Sequence, residues 1–370
     1  MRFLFALFVF TVLVGQASAQ DFHGLVVDAE SGEPLPGAHI FIDGTNQGDV
    51  AGADGSFSLA LPERRPLVVI ISMIGFKLNT VPINPLFDLT ESRRVEMVED
   101  PIVLGEFVIE AVQPKEFRRV RGRIEDLLFS STPAGSRCEL ENPEVLDIEV
   151  FPNNLRVRAR EPLRVLSPYL GYRVTVHGMR LEGTQRSYEF SGRLQFEELP
   201  VANEKAERTR QKRRRETYLG SRQHFFRALI DGSLPKSGFI AELVAGPGTL
   251  TGGDTIVEFY GDARQGGTGV LHGNPDDLTR ALMFNGSLLV RYRRERPLAA
   301  YNTFLNSLNV LPPNTREQVS WVTLPTGIAL LDRNGVPFSD GMNPPLSHYG
   351  YWSWERVCDS LPVDWVPPQD

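Results

Sequence analysis

The sequence predicts a mainly β protein in two parts: a β-sandwich near the amino end, then a larger mixed, mainly β domain with one or two helices. Three observations lead there. Short runs alternating apolar and polar residues recur about every ten residues. Turn pairs fall between them: Ser31-Gly32, Asp43-Gly44, Asp54-Gly55 and Ile74-Gly75. The 33 glycines and 27 prolines among 370 residues favour many turns and short strands over long helices.

The first residues read as an export signal. Arg2 is the lone charge, an apolar run follows from Phe3 to about Val14, and Ala17-Ser18-Ala19 precedes Gln20. Cleavage after Ala19 assigns residues 1–19 to a signal peptide. No cysteine follows it closely, so a lipid anchor is not expected, and no later run approaches the ~18 apolar residues of a transmembrane helix. The net charge is −7, one unit more acidic without Arg2, which argues against sequence-independent nucleic-acid binding.

Residues 22–98 have strand character throughout. Leu25 and Val27 share one face of the first run. Ile40 and Ile42 oppose His39 and Phe41. Phe57, Leu59 and Leu61 alternate with small or polar residues. Leu67 to Ile71 form a continuous apolar run, as in a strand covered on both faces. The segments at 79–84 and 93–98 complete the set. Gly24-Leu25-Val26-Val27-Asp28, then Ser31 to Ala38 (SGEPLPGA), Gly44-Thr45, Asp54-Gly55-Ser56-Phe57 and Gly75-Phe76 follow in order. This pattern resembles the carboxypeptidase-regulatory-like domain. The resemblance implies a seven-stranded, transthyretin-like β-sandwich that serves as an accessory unit and not as a catalyst.

Residues 99–114 read as a linker strand. Its segment Leu104-Gly105-Glu106-Phe107-Val108-Ile109-Glu110-Ala111 resembles the short strand that follows this module in TonB-dependent outer-membrane receptors, and could add to a partner's sheet edge. Closing the next domain's own sheet is the plainer reading.

Residues 115–370 open with an amphipathic helix carrying Phe117, Val120, Ile124, Leu127 and Leu128 at helical spacing. Five strands are expected between 146 and 199. A single helical stretch from an N-cap at Asn203 to about Ile230 follows, then further strands, with a two-residue hairpin turn at Asn334-Gly335. Landmarks of this part are Phe129-Ser130-Ser131, Cys138 with Asn142-Pro143, Pro162-Leu163, Leu170-Gly171-Tyr172, Tyr188 to Leu199, and Arg215 with Tyr218 to Leu229. Tyr349-Gly350-Tyr351-Trp352 and Leu361-Pro362 close the set. They are similar to a domain that follows this module in exported proteins of the Bacteroidetes group. Ser191 departs from that pattern, where Tyr or Gly is expected. The resemblance implies architecture and location, and attaches no activity.

The six histidines lack metal-ligand spacing, and no H-E-x-x-H occurs, so neither a metal nor another cofactor is expected. Asp28, Asp49 and Asp54 do not form a regular calcium loop. Ser221 and His224 are the best catalytic pair. A serine–histidine couple also needs a strained turn, an oxyanion hole and a third orienting group, which a mid-helix pair lacks; the plainer reading is that His224 anchors the helix to the sheet while Gly220-Ser221 shapes its start. No catalytic residue is therefore assigned.

Two stretches are candidate binding sites. One is the basic run holding Arg210, Lys212, Arg213, Arg214 and Arg215, suited to an anionic surface or glycan unless it is only a solvated helix face balanced by Glu204, Glu207 and Glu216. The other is the aromatic row Tyr351, Trp352 and Trp354, suited to sugar or peptide stacking unless it is core. Cys138 and Cys358 permit one disulfide across more than 200 residues; two buried thiols are the alternative. The sequence thus predicts an exported, non-catalytic binding or scaffolding protein of the periplasm or outer-membrane face, with an envelope protein or glycan as partner. The alternatives are an envelope hydrolase built on Ser221 and His224, and an accessory of a TonB-dependent system.

Overall fold

The computed structural model describes residues 20–62, 66–83, 92–100, 114–151, 154–184, 188–250, 254–255, 260–261, 269–274, 277–310, 316–338 and 346–368. The signal peptide at 1–19 and the segment Leu104–Ala111 lie outside them.

The amino-terminal part is a two-sheet sandwich of seven strands. These are β1 (Gln20–Asp28), β2 (His39–Ile42), β3 (Gly48–Val50), β4 (Ser56–Leu61), β5 (Leu67–Ser72), β6 (Asn79–Ile83) and β7 (Arg93–Met97). One sheet has the order β4-β1-β7 and the other β3-β2-β5-β6, with β1 and β7 parallel. The core between them holds Phe22, Val26, Ile40, Ile42, Phe57, Leu59, Leu61, Val69 and Ile71. The alternations at β2 and β4 fall as expected. On β1 the core face is Phe22 and Val26, one residue out of step with the expected Leu25 and Val27. Val27 is buried on the opposite side, where the chain doubles back and bridges it to Pro34. β3 was not expected, because Gly48-Asp49-Val50 carries almost no apolar signal.

The motif residues of this module make turns and close contacts. Asp28 Oδ1 accepts from the backbone N–H of Ser31 and of Glu30 and from Ser31 Oγ–H, and the Ser31 N–H chiefly lowers its pKa. Asp54 Oδ1 accepts from both the N–H and the hydroxyl of Ser56, while Gly55 sits at φ +77°. A Cβ on Gly24 would lie 2.0 Å from the Arg93 carbonyl oxygen, so only glycine lets β1 and β7 approach.

Among the described residues, the rest of the chain holds two large cores and two small apolar clusters. The first lies between helix α1 (Pro114–Leu128) and a six-stranded antiparallel sheet. Its strands are β8 (Glu139–Leu140), β9 (Leu146–Val150), β10 (Leu155–Ala159), β11 (Leu163–Ser167), β12 (Tyr172–Gly183) and β13 (Tyr188–Glu198). Val120, Ile124, Leu127 and Leu128 meet Val157, Val165, Val174 and Leu181 there. Next come helices α2 (Glu204–Tyr218), α3 (Arg222–Ile230) and α4 (Leu234–Ser237).

The second core packs α3 against two five-stranded sheets. Their strands, in chain order, are β14 (Phe239–Val244), β15 (Asp254–Thr255), β16 (Tyr260–Gly261), β17 (Leu271–His272), β18 (Thr279–Met283) and β19 (Ser287–Tyr292). They continue with β20 (Gln318–Thr323), β21 (Ile328–Asp332), β22 (Pro337–Phe338) and β23 (Ser347–Gly350). The sheet orders are β15-β14-β19-β20-β23 and β16-β17-β18-β21-β22. Helix α5 (Ala299–Ser307) and the short α6 (Tyr351–Trp354) complete the chain. The expected hairpin at Asn334-Gly335 joins β21 to β22, but its turn spans 333–336. Gly335 alone takes positive φ, and Asp332 Oδ1 accepts from Asn334 and Val336 N–H, so a two-residue type I′ turn is not formed.

The sandwich docks on β12 and β13 through its second sheet. Phe41 packs 4.4 Å from the His177 ring, and Val68, Ile70 and Leu78 surround Phe41. The turn after β2 hydrogen-bonds along the edge of β13: Gly44 N–H donates to Leu194 O, and Phe196 N–H donates to Thr45 O, both at 2.8 Å. This contact explains why β5 is buried at every residue.

Candidate functional site

The expected single helix from Asn203 is broken. Asn203 caps α2 by accepting from Ala206 N–H. The helix ends at Tyr218, Gly220 adopts φ +77°, and Ser221 caps α3 by accepting from His224 N–H at 3.2 Å. The break is held from outside by Trp352, whose Nε1–H donates to Gly220 O at 2.8 Å. On α3, Gln223 and Arg227 lie one turn apart and clamp the carboxy-terminal segment. Gln223 Nε2 donates to the carbonyls of Pro362 and Val363, and Arg227 donates to those of Trp365 and Val363.

This corner of α2, α3, α4 and the carboxy-terminal segment borders an open cleft of about 470 Å³. Arg215, Tyr218, His224, Arg227 and Asp231 line it, with Pro367 and Pro368 as an apolar wall. His224 Nδ1 accepts from Gly220 N–H at 3.1 Å. The neutral ring therefore carries its proton on Nε2 and is a donor there. Desolvation among Tyr218, Phe239 and Tyr292, with Arg294 and Arg227 nearby, pushes its pKa down to about 4. Burial raises the Asp231 carboxyl, with Arg227 and Arg280 opposing.

This geometry corrects the reading of Ser221 and His224 as a mid-helix couple. The serine hydroxyl is a helix cap, and the imidazole's acceptor nitrogen is already taken by a backbone amide. Gln223, Asp231 and Arg294 were not singled out from the sequence. The i, i+4 pair Gln223 and Arg227 is the one signal that marks a shared helix face.

The basic run divides by face. Arg214 is 2% exposed: Nε donates to Leu170 O, Nη1 pairs with Glu198 at 2.6 Å, and its guanidinium covers the Tyr172 ring at 3.9 Å. Arg210 is buried too, donating to the carbonyls of Leu199 and Pro200. Both fasten α2 to the sheet, which corrects their assignment to a binding surface. Arg213 is half-buried over Tyr169 at 4.6 Å. Lys212 and Arg215 are exposed, and Lys212 lies 3.9 Å from Glu216.

The aromatic row is also corrected. Tyr351, Trp352 and Trp354 are 3%, 3% and 2% exposed, so none offers a stacking face. Trp352 belongs to the second core, while Tyr351 and Trp354 pack on Tyr301 of α5. Cys138 and Cys358 are joined in a disulfide across 220 residues, and the alternative of two buried thiols does not hold. Beside it, Ser130 and Thr132 hydroxyls donate to Asp359. Asp49 on β3 accepts from Ser58 N–H on β4, a bond between strands, whereas Asp28 and Asp54 make local turns. Among the described residues no cluster of metal-ligating side chains occurs.

Residues 22–109 match the family model of the CarboxypepD_reg-like domain. Over 107 residues the chain is 29% identical to the TonB-dependent receptor P39 of Formosa agariphila, covering 28% of this chain and 10% of the receptor. Over 82 residues it is 27% identical to the TonB-dependent receptor SusC of Bacteroides thetaiotaomicron, covering 22% of this chain and 8% of that protein. The chain thus spans a tenth or less of the length of these relatives. No helix among the described residues is long and apolar enough to cross a membrane. The seven-stranded sandwich, the turn chemistry of its motifs and the family match agree: the amino-terminal part of this protein is a CarboxypepD_reg-like domain.

Proposed function

We propose that the protein is exported and acts as a non-catalytic binding or scaffolding component of the cell envelope, at the periplasmic or outer-membrane face. The supporting observation is the chemistry of the cleft. His224 on its lining accepts an amide, Arg227 is held by backbone carbonyls, and Ser221, outside the lining, is committed to capping α3. Such a site can orient a ligand, and it lacks the base-activated nucleophile that hydrolysis requires. The similarity to two TonB-dependent receptors favours an envelope setting, and a role as accessory to such a system is the second reading. The test is affinity purification of the tagged, signal-free protein from its own envelope after fractionation. Recovery of a discrete envelope protein or glycan is the expected result. Turnover of envelope glycans or peptides by the purified protein, lost in Ser221→Ala, would overturn it.

A further inference from the structure

We propose that the outer face of α2 and the adjoining cleft form one continuous site for a linear acidic glycan, with a terminal acidic sugar in the cleft. The inference rests on the binding reading above and names its ligand class.

Lys205, Arg208, Lys212 and Arg215 follow one another at spacings of three and four residues, so they share one face of α2. All four are exposed, whereas Arg210 and Arg214 point inward. The stripe rises over about 15 Å. Of its acidic neighbours, Glu216 lies 3.9 Å from Lys212, while Glu207 accepts from Gln211 and lies 3.7 Å from the inward Arg210. The last cation of the stripe, Arg215, also lines the cleft. Inside, positive charge continues with Arg227 on the lining. Tyr218, whose Oη accepts from Arg227, and His224, protonated on Nε2, line the same cleft as Arg215, a set suited to a carboxylate. Asp231 and the hydroxyls of Ser233 and Ser237 on the same lining supply partners for sugar hydroxyls, and Pro367 and Pro368 face the apolar side of a ring. A stripe one residue wide that ends in a concave site fits a chain molecule better than a flat lipid surface.

The test is calorimetric titration of the signal-free full chain with a galacturonic acid trisaccharide, maltotriose, inorganic polyphosphate and anionic phospholipid vesicles. The expected result is binding of the acidic trisaccharide but not of maltotriose, weakening as salt rises. Arg208→Ala/Lys212→Ala/Arg215→Ala should weaken it about tenfold. Asp231→Asn should weaken the trisaccharide while leaving or strengthening polyphosphate binding, a split that mere charge attraction does not produce. Equal binding of maltotriose, binding of vesicles in place of the trisaccharide, or an unchanged triple variant would each overturn the proposal. Silence of every probe, while the tagged chain still retrieves an envelope protein, would overturn the glycan site and leave the binding function standing.

Discussion

Arg193 Nη1 lies 2.8 Å from Asp43 Oδ2, joining the turn after β2 of the sandwich to the edge of β13 across 150 residues of chain. Both side chains are about three-quarters covered. Beside them, Gly44 and Thr45 occupy the backbone groups that an edge strand would otherwise present. Arg193→Ala strands a partly buried carboxylate, and a loss of about 2 kcal/mol is expected. Chemical denaturation should then separate an early transition of the sandwich from the rest. A double-mutant cycle with Asp43→Asn should return a coupling energy of at least about 0.5 kcal/mol; strict additivity would show that the pair does not join the two parts.

The same interface makes stability pH-dependent. His177 is fully buried, Nε2 contacts Gln195 Oε1 at 3.1 Å, and burial pushes its pKa down to about 4. Unfolded, the ring titrates near 6.5. The unfolded chain therefore takes up a proton that the folded state refuses, so this contribution is complete above pH ~6.5 and is lost as pH falls toward 4. The full swing for such a group is roughly 3 kcal/mol. Denaturant midpoints measured from pH 7 to pH 4.5 should fall steeply, and less steeply in His177→Phe. Parallel curves for the two proteins would refute the assignment.

The disulfide closes a loop of 220 residues. Chain entropy puts its removal at up to about 5 kcal/mol. The Cys138→Ser/Cys358→Ser variant should lose between about 2 and 5 kcal/mol by urea denaturation, and reductant should destabilise the parent and leave the variant unchanged.

Trp352 tests whether the aromatic row is structural. Trp352→Phe removes the bond to Gly220 O and should cost about 1–2 kcal/mol. Trp352→Ala should cost about 3–5 kcal/mol. If Trp352→Phe instead kept full stability and lost a ligand, the residue would belong to a binding surface.

Gly24→Ala should be among the most disruptive small changes in the sandwich, because the added carbon meets the Arg93 carbonyl. Loss of soluble protein, or a midpoint shift of several kcal/mol, is expected; a neutral result would mean that β1 and β7 can separate.

Much of the sandwich was legible because its signals are local. Alternation, turn aspartates and positive-φ glycines all act within a few residues, as at Asp54-Gly55-Ser56. The second part was legible as strands but not as two cores. The pairing of β14 with β19, and of β20 with β23, is long-range and leaves no mark in periodicity. The basic run was only partly legible, for a related reason. Arginines occur on both faces of α2, and what draws Arg210 and Arg214 inward is a set of carbonyls at Leu199, Pro200 and Leu170, outside the helix. The break at Gly220 depends on Trp352, 132 residues later.

The final stretch of the chain touches every part of the molecule. Val363 N–H donates to Gly44 O in the sandwich, Cys358 bonds to Cys138 beside the first core, and Trp352 fills the second. Residues 352–363 therefore act as a common tie between all three parts. Substitutions in this short stretch should lower the stability of the whole molecule far more than their number suggests.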